Sequence, residues 1–119
     1  MGGAGAARET GVPKDAVRAR ALAQEGSDRN DKLGRAVLGA MLRDGFGGPK
    51  DPQRGYELPQ AVVVAHPTHG YSHFQLGIAY ARGIGVPADK LLARESYRKT
   101  LAHGEEQARV WLNELGFSE

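Results

Sequence analysis

Ile84-Gly85-Val86-Pro87-Ala88-Asp89 repeats a phrase that occurs twice earlier, as Thr10-Gly11-Val12-Pro13-Lys14-Asp15 and as Phe46-Gly47-Gly48-Pro49-Lys50-Asp51. The aspartates stand 36 and then 38 residues apart. A second landmark keeps nearly constant phase behind them: Leu38-Gly39, Leu76-Gly77 and, degenerately, Leu112-Asn113. Its second residue falls 24, 26 and 24 positions after the respective aspartate. Two landmarks in step across three copies mark a repeat, and this period is that of stacked supersecondary units.

The chemistry of the phrase explains its form. Gly45, Gly47, Gly48, Gly83 and Gly85 permit a tight connection with positive φ. The proline then fixes an extended entry to the next segment. Asp15, Asp51 and Asp89 are expected to cap the helices that follow, each accepting from amides of the first turn. Pro52 stands at a first helical position, where the missing N–H costs nothing.

Between the loops the apolar spacing is helical: Leu33, Val37 and Met41 step by four, as do Ala93, Tyr97 and Leu101. One set of helices is expected near 16–25, 52–64 and 90–102, and a second near 31–43, 70–82 and 105–115. The second set carries apolar residues on more than one side, as a helix covered by several neighbours does. Gly39 and Gly77 fall mid-helix, where glycine costs about 1 kcal/mol against alanine, so close packing is the expected reason for them. Ala19, Gly55 and Ala93 are likewise small and in register, four residues after each aspartate. The β-branched run Ala61–Val64 would suit a strand, but its place in the repeat favours helix.

The bulk composition bounds the function. The chain has 119 residues, 40% of them hydrophobic, with 16 basic and 14 acidic side chains and no cysteine. That is one folded domain with no disulfide framework, thiol nucleophile or cysteine-held metal. A net charge of +2 gives no electrostatic footprint for nucleic acid. The longest apolar run, Ala61–Ala65, is far short of the roughly 20 residues that cross a membrane. With no secretory signal visible, a cytoplasmic location is expected. Residues 1–9 read as a flexible N-terminus and 10–117 as a single repeat domain, its loops near 10–15, 45–51 and 83–89.

Taken together, the G-x-G-V-P-x-D loop, the small residue four beyond the aspartate and the later Leu-Gly resemble Sel1-like repeats, relatives of the tetratricopeptide repeats. The resemblance covers about Gly11 to Phe117. It implies an all-α superhelix, or solenoid, of about three antiparallel helix pairs. It also implies a non-enzymatic scaffold or adaptor that binds a protein or peptide partner, often in bacterial signalling, secretion or envelope processes. An immunity or inhibitor protein sequestering one cognate toxin or enzyme is the alternative. In the related architecture the Leu-Gly helix lines the concave face. That places Arg43, Tyr71, Phe74, Ile78, Arg82 and Gln107 in a partner-binding groove, with Ala36, Ala40, Val110 and Glu114 beside them. The competing reading packs Phe74 and Ile78 against neighbouring helices. Three departures stand out: Pro59 should kink or shorten its helix, Asn113 replaces a glycine as in a terminal repeat, and the first repeat is only partly present. The chain is therefore either a short solenoid or a segment of a longer one. An end-to-end homodimer is a possible way to cover an apolar solenoid end.

Other chemistry is thinner. His66, His69 and His73 lie within eight residues, and two imidazoles at i, i+4 could chelate a metal. Pro67 and Gly70 instead place His66 and His69 in a loop, and the glutamate of the zinc-protease signature is missing. Solvated loop histidines are expected, with no metal or cofactor; a histidine-based metal hydrolase is the enzymatic alternative. No serine has a nucleophile elbow, and no glycine loop has the phosphate-binding lysine. Arg18, Arg20, Lys32 and Arg35 read as a solvated face. Trp111 is expected to lie against Tyr97 and Leu101, its alternative being a partner anchor on an exposed end.

Overall fold

The computed structural model describes residues 13–103 and 106–117, so the expected flexible N-terminus at 1–9 lies outside the described residues. Among them the chain forms α-helices and no strand: α1 (Lys14–Asp28), α2 (Lys32–Asp44), α3 (Pro52–Ala65), α4 (Gly70–Arg82), α5 (Lys90–Ala102) and α6 (Ala108–Glu114). The run Ala61–Val64 is helical, within α3. Each helix packs on the next in sequence, and α2 also reaches α4 directly. The Leu-Gly helices α2 and α4 thus adjoin, with α1, α3 and α5 as their hairpin partners. The fold is an all-helical solenoid.

The loops after α2 and α4 are copies of each other. Both helices end on a left-handed glycine, Gly45 (φ 74°) and Gly83 (φ 67°). In both, the following amide bonds back into the last turn, Phe46 to Met41 at 2.9 Å and Ile84 to Ala79 at 3.0 Å. The loop aspartate's own amide then reaches Leu42 at 2.8 Å in one and Tyr80 at 2.9 Å in the other. Gly47 and Gly85 (φ 77° and 76°) each press on the first turn of the preceding outer helix. A Cβ there would stand 2.2 Å from the Ala16 carbonyl oxygen and 2.1 Å from that of Pro52. These contacts carry the repeat as a rigid translation from one hairpin to the next.

The caps divide. Asp51 accepts from the Arg54 amide and Asp89 from the Leu92 amide. Asp15 does not cap: α1 opens one residue before it, Pro13 takes the N-cap position, and Asp15 lies within the first turn. There its charge still faces the positive end of the helix. The cap of α2 is Asp31, which accepts from the Gly34 amide. Arg20, expected in solvent, donates to the carbonyls of Phe46 and Pro49 at 2.9 Å each and so clamps the first loop. Tyr56 and Arg94 occupy the equivalent positions. Tyr56 shares a hydrogen bond with the Tyr80 hydroxyl, and Arg94 lies 4.6 Å from the Phe117 ring centre.

Pro59 neither shortens nor interrupts α3, which runs 14 residues through it. The reason lies across the interface. A Cβ at Gly39 would meet Pro59 Cδ at 2.8 Å, so the glycine leaves room for the pyrrolidine ring. Gly39 and Gly55 also face each other's carbonyls, as close backbone packing with Cα–H···O contacts requires. In the next hairpin, Gly77 stands where Gly39 does and Tyr97 where Pro59 does. One notch therefore takes two different wedges.

The core follows this division. Around the Tyr97 wedge, Ile78, Ala93, Ala108 and Leu112 form one buried cluster. Ala23, Leu38 and Leu42 form a smaller one between α1 and α2. Helix α6 ends early. The leucine of the Leu-Gly pair stands seven residues before the left-handed glycine in α2 and α4, whereas Leu112 stands four before Gly116.

Candidate functional site

Along one face of α2, α4 and α6 run two adjoining cavities, with Tyr71 in the wall of both. The first, about 420 Å³, lies between α2 and α4 and is lined by Val37, Ala40, Met41, Phe46 and Asp44. The second, about 330 Å³, is enclosed by Tyr71, Phe74, Gln107 and Trp111, between α4 and α6. Both are mainly apolar, with few polar groups, as recognition clefts are.

A polar network joins the first cavity's Asp44 to α4. The Arg43 guanidinium donates through two nitrogens to Asp44, at 2.9 Å each, and through the third to the Gln75 side-chain oxygen on α4. Arg43 holds the Asp44 carboxyl below its usual range chiefly by that hydrogen bond, with the charges of Arg43, Arg82 and Lys50 acting the same way. Burial pushes the Tyr71 phenol up. The tyrosine is thus a neutral, half-buried ridge between the cavities.

The groove residues expected from the sequence separate accordingly. Tyr71, Phe74 and Gln107 meet at the second cavity. Arg82 does not line it but lies beside its Trp111 wall, its guanidinium carbon 5.5 Å from the Trp111 ring centre. Ile78 is a correction: at 6% exposed it points into the core against Ala93, Tyr97 and Leu112. Arg43 is another. It is 9% exposed, and its donors are spent on Asp44 and Gln75, so it braces the groove from beneath. Phe74 does both things, packing on Tyr97 and Trp111 while lining the cavity.

Trp111 is the wall residue missing from the expected groove. It does stack on Tyr97, with ring centres 6.4 Å apart, and it also lines the cavity. That it is the chain's single tryptophan was the available signal.

The histidines lie off this face and do structural work. His73 is buried and donates from Nε2 to the Pro67 carbonyl at 2.7 Å, so it is not a solvated loop residue. His69 Nδ1 and Ser72 Oγ share a hydrogen bond at 2.7 Å, while His66 is exposed. Among the described residues no group of three His, Cys, Asp or Glu converges as a metal site. Burial is the main cause lowering the pKa of both His73 and His69. For His73, Lys99 and His103 act the same way against Glu95 and the Pro67 bond; for His69, Lys32, His66 and His73 act against Asp31.

A base whose folded pKa is lowered contributes its full stability above the unfolded value near 6.5. That contribution is lost as pH falls below it, through the folded pKa. Urea midpoints are therefore expected to drop between pH 7 and 5, and His73→Gln should flatten the drop. An unchanged slope in the variant would remove His73 from this role.

Three stretches, residues 3–31, 33–58 and 70–104, match the Sel1 repeat family. The chain belongs to that family. Among solved structures it is similar to the crystal structure of the Sel1 repeat protein from Oxalobacter formigenes, with 34% identity and a TM-score of 0.61. The alignment covers 70% of this chain and 61% of that one, so the chain spans less than two thirds of this relative's length. A comparison with curated proteins gives no match. Sel1 repeats are generally protein–protein interaction modules and non-enzymatic scaffolds. No helix among the described residues is long and apolar enough to cross a membrane.

Proposed function

We propose that this Sel1 chain is a non-enzymatic adaptor that holds a segment of a partner protein in the groove along α2, α4 and α6. The observation that carries this reading is the position of Tyr71 between two adjoining apolar cavities. A rigid aromatic ridge with a pocket on each side offers contact area at little entropic cost and suits two apolar anchors of one bound segment. The Arg43–Asp44–Gln75 network beneath it ties α2 to α4, so the two pockets keep their relative position.

Tyr71→Ala should merge the cavities and remove their shared contact while leaving the buried clusters intact, since Tyr71 belongs to neither. An anchor of this kind is worth about 2 kcal/mol, or roughly thirtyfold in affinity. Affinity capture from the cells of origin, with wild type and the Tyr71→Ala variant side by side, tests it. Loss of the captured partner with an unchanged helical circular dichroism spectrum is expected. Full retention would place the interaction on another surface.

A further inference from the structure

The field of Arg82 reaches Asp44 at the first cavity, where Lys50 acts in the same sense, and Arg82 also stands by the Trp111 wall of the second. At the first cavity Asp44 is the acidic group, and both its oxygens are already bonded by Arg43, so that pair presents little net charge. Beside Trp111, a wall residue of the second cavity, Arg82 is exposed and makes no ion pair among the described residues. Asp44 feels its field, yet the two form no salt bridge. Glu114, one turn beyond Trp111, is exposed and forms none with it either.

What holds Arg82 is the indole face of Trp111. A guanidinium resting on an aromatic face keeps its N–H groups in its own plane, directed away from the ring. That leaves a fork of donors beside the Trp111 wall of the cavity, suited to a carboxylate in two-point geometry. Gln107 adds a polar side chain to the wall.

Building on the groove reading above, we propose that the α4–α6 half recognises an acidic segment of a partner protein. A large apolar or aromatic side chain enters the cavity between Tyr71 and Trp111, and a neighbouring Asp or Glu pairs with Arg82. The α2–α4 cavity takes a second apolar side chain.

The test uses the full chain and a displayed library of random 12-residue peptides, with selected sequences resynthesised. Because Trp111 is the only tryptophan, its fluorescence reports occupancy of this cavity directly. Selection should enrich an aromatic or large apolar residue close to Asp or Glu. Replacing that acid by its amide should weaken binding about fivefold at low salt, less at high salt. Arg82→Gln should abolish the difference between acid and amide, and Arg82→Glu should invert it. Enriched peptides that are neutral or basic, indifferent to Arg82→Gln but lost with Tyr71→Ala, would overturn the acidic preference and leave the groove standing. No enrichment, or peptides that bind Tyr71→Ala as well as wild type, would overturn the groove itself. A concentration-dependent dimer that Arg82→Gln dissociates would assign the face to a second copy and overturn the proposed partner.

Discussion

Tyr97→Ala should cost about 4 kcal/mol of stability, in the range for truncating a buried aromatic ring, and lower Tm by about 15 °C. Tyr97 is 1% exposed and is the largest fully buried side chain among the described residues. Its ring fills the notch at Gly77, where a Cβ would stand 2.3 Å from it, and packs on Phe74 and Trp111. Burial pushes its phenol up to about 12. The equivalent substitution one hairpin earlier should behave differently. Pro59→Ala empties the notch at Gly39, but it restores an amide donor inside α3, where proline costs about 3 kcal/mol. These effects oppose each other, and a net change near zero is expected. Parallel urea titrations of the two variants check this; equal losses would mean that the wedges are not what distinguishes the hairpins.

Gly85→Ala should cost about 3 kcal/mol, and Gly47→Ala about the same. A left-handed backbone penalises a side chain by roughly 1–2 kcal/mol, and overpacking adds about 1–3. Here the obstacle is backbone, the Pro52 or Ala16 carbonyl, which cannot rotate away as a side chain can. Gly48→Ala is the control. Its added methyl would meet the Arg20 guanidinium at 3.2 Å, a side chain that can shift but that also clamps this loop, and its φ is not in the left-handed range, so a smaller cost is expected. Thermal unfolding of the three variants should show two large shifts and a smaller one of about 1 kcal/mol. Three small shifts would mean that the loops do not carry the stacking.

The loops were legible because their residues act through the backbone. Glycine at positive φ, proline entering a helix and aspartate at a cap each have a local physical meaning that needs no neighbour. Asp15 misled because a cap depends on where the helix opens, and α1 opens at Pro13, before the aspartate. Side-chain direction was less legible. Ile78 and Phe74 are four apart on α4, yet one is core and the other lines a cavity, a difference set by Ala93, Tyr97 and Leu112 on other helices. Arg43 could not be distinguished from a groove cation until Asp44 and Gln75 were seen around it. Trp111 was placed against Tyr97 but not at the cavity, since α6 ends a turn early and its facing could not be taken from the earlier copies. Pro59 points to a kinked or shortened helix only when Gly39 is left out of account.

If Tyr71 is the shared anchor, partners contact the face that bears it. The most direct measurement is site-specific photocrosslinking in the cells of origin. A benzophenone amino acid would stand at position 71 in one strain and at position 64, an exposed site on α3, in another. A discrete adduct from position 71, absent from position 64 and competed away by the selected peptides, is the predicted result. Adducts from position 64 with none from position 71 would contradict it.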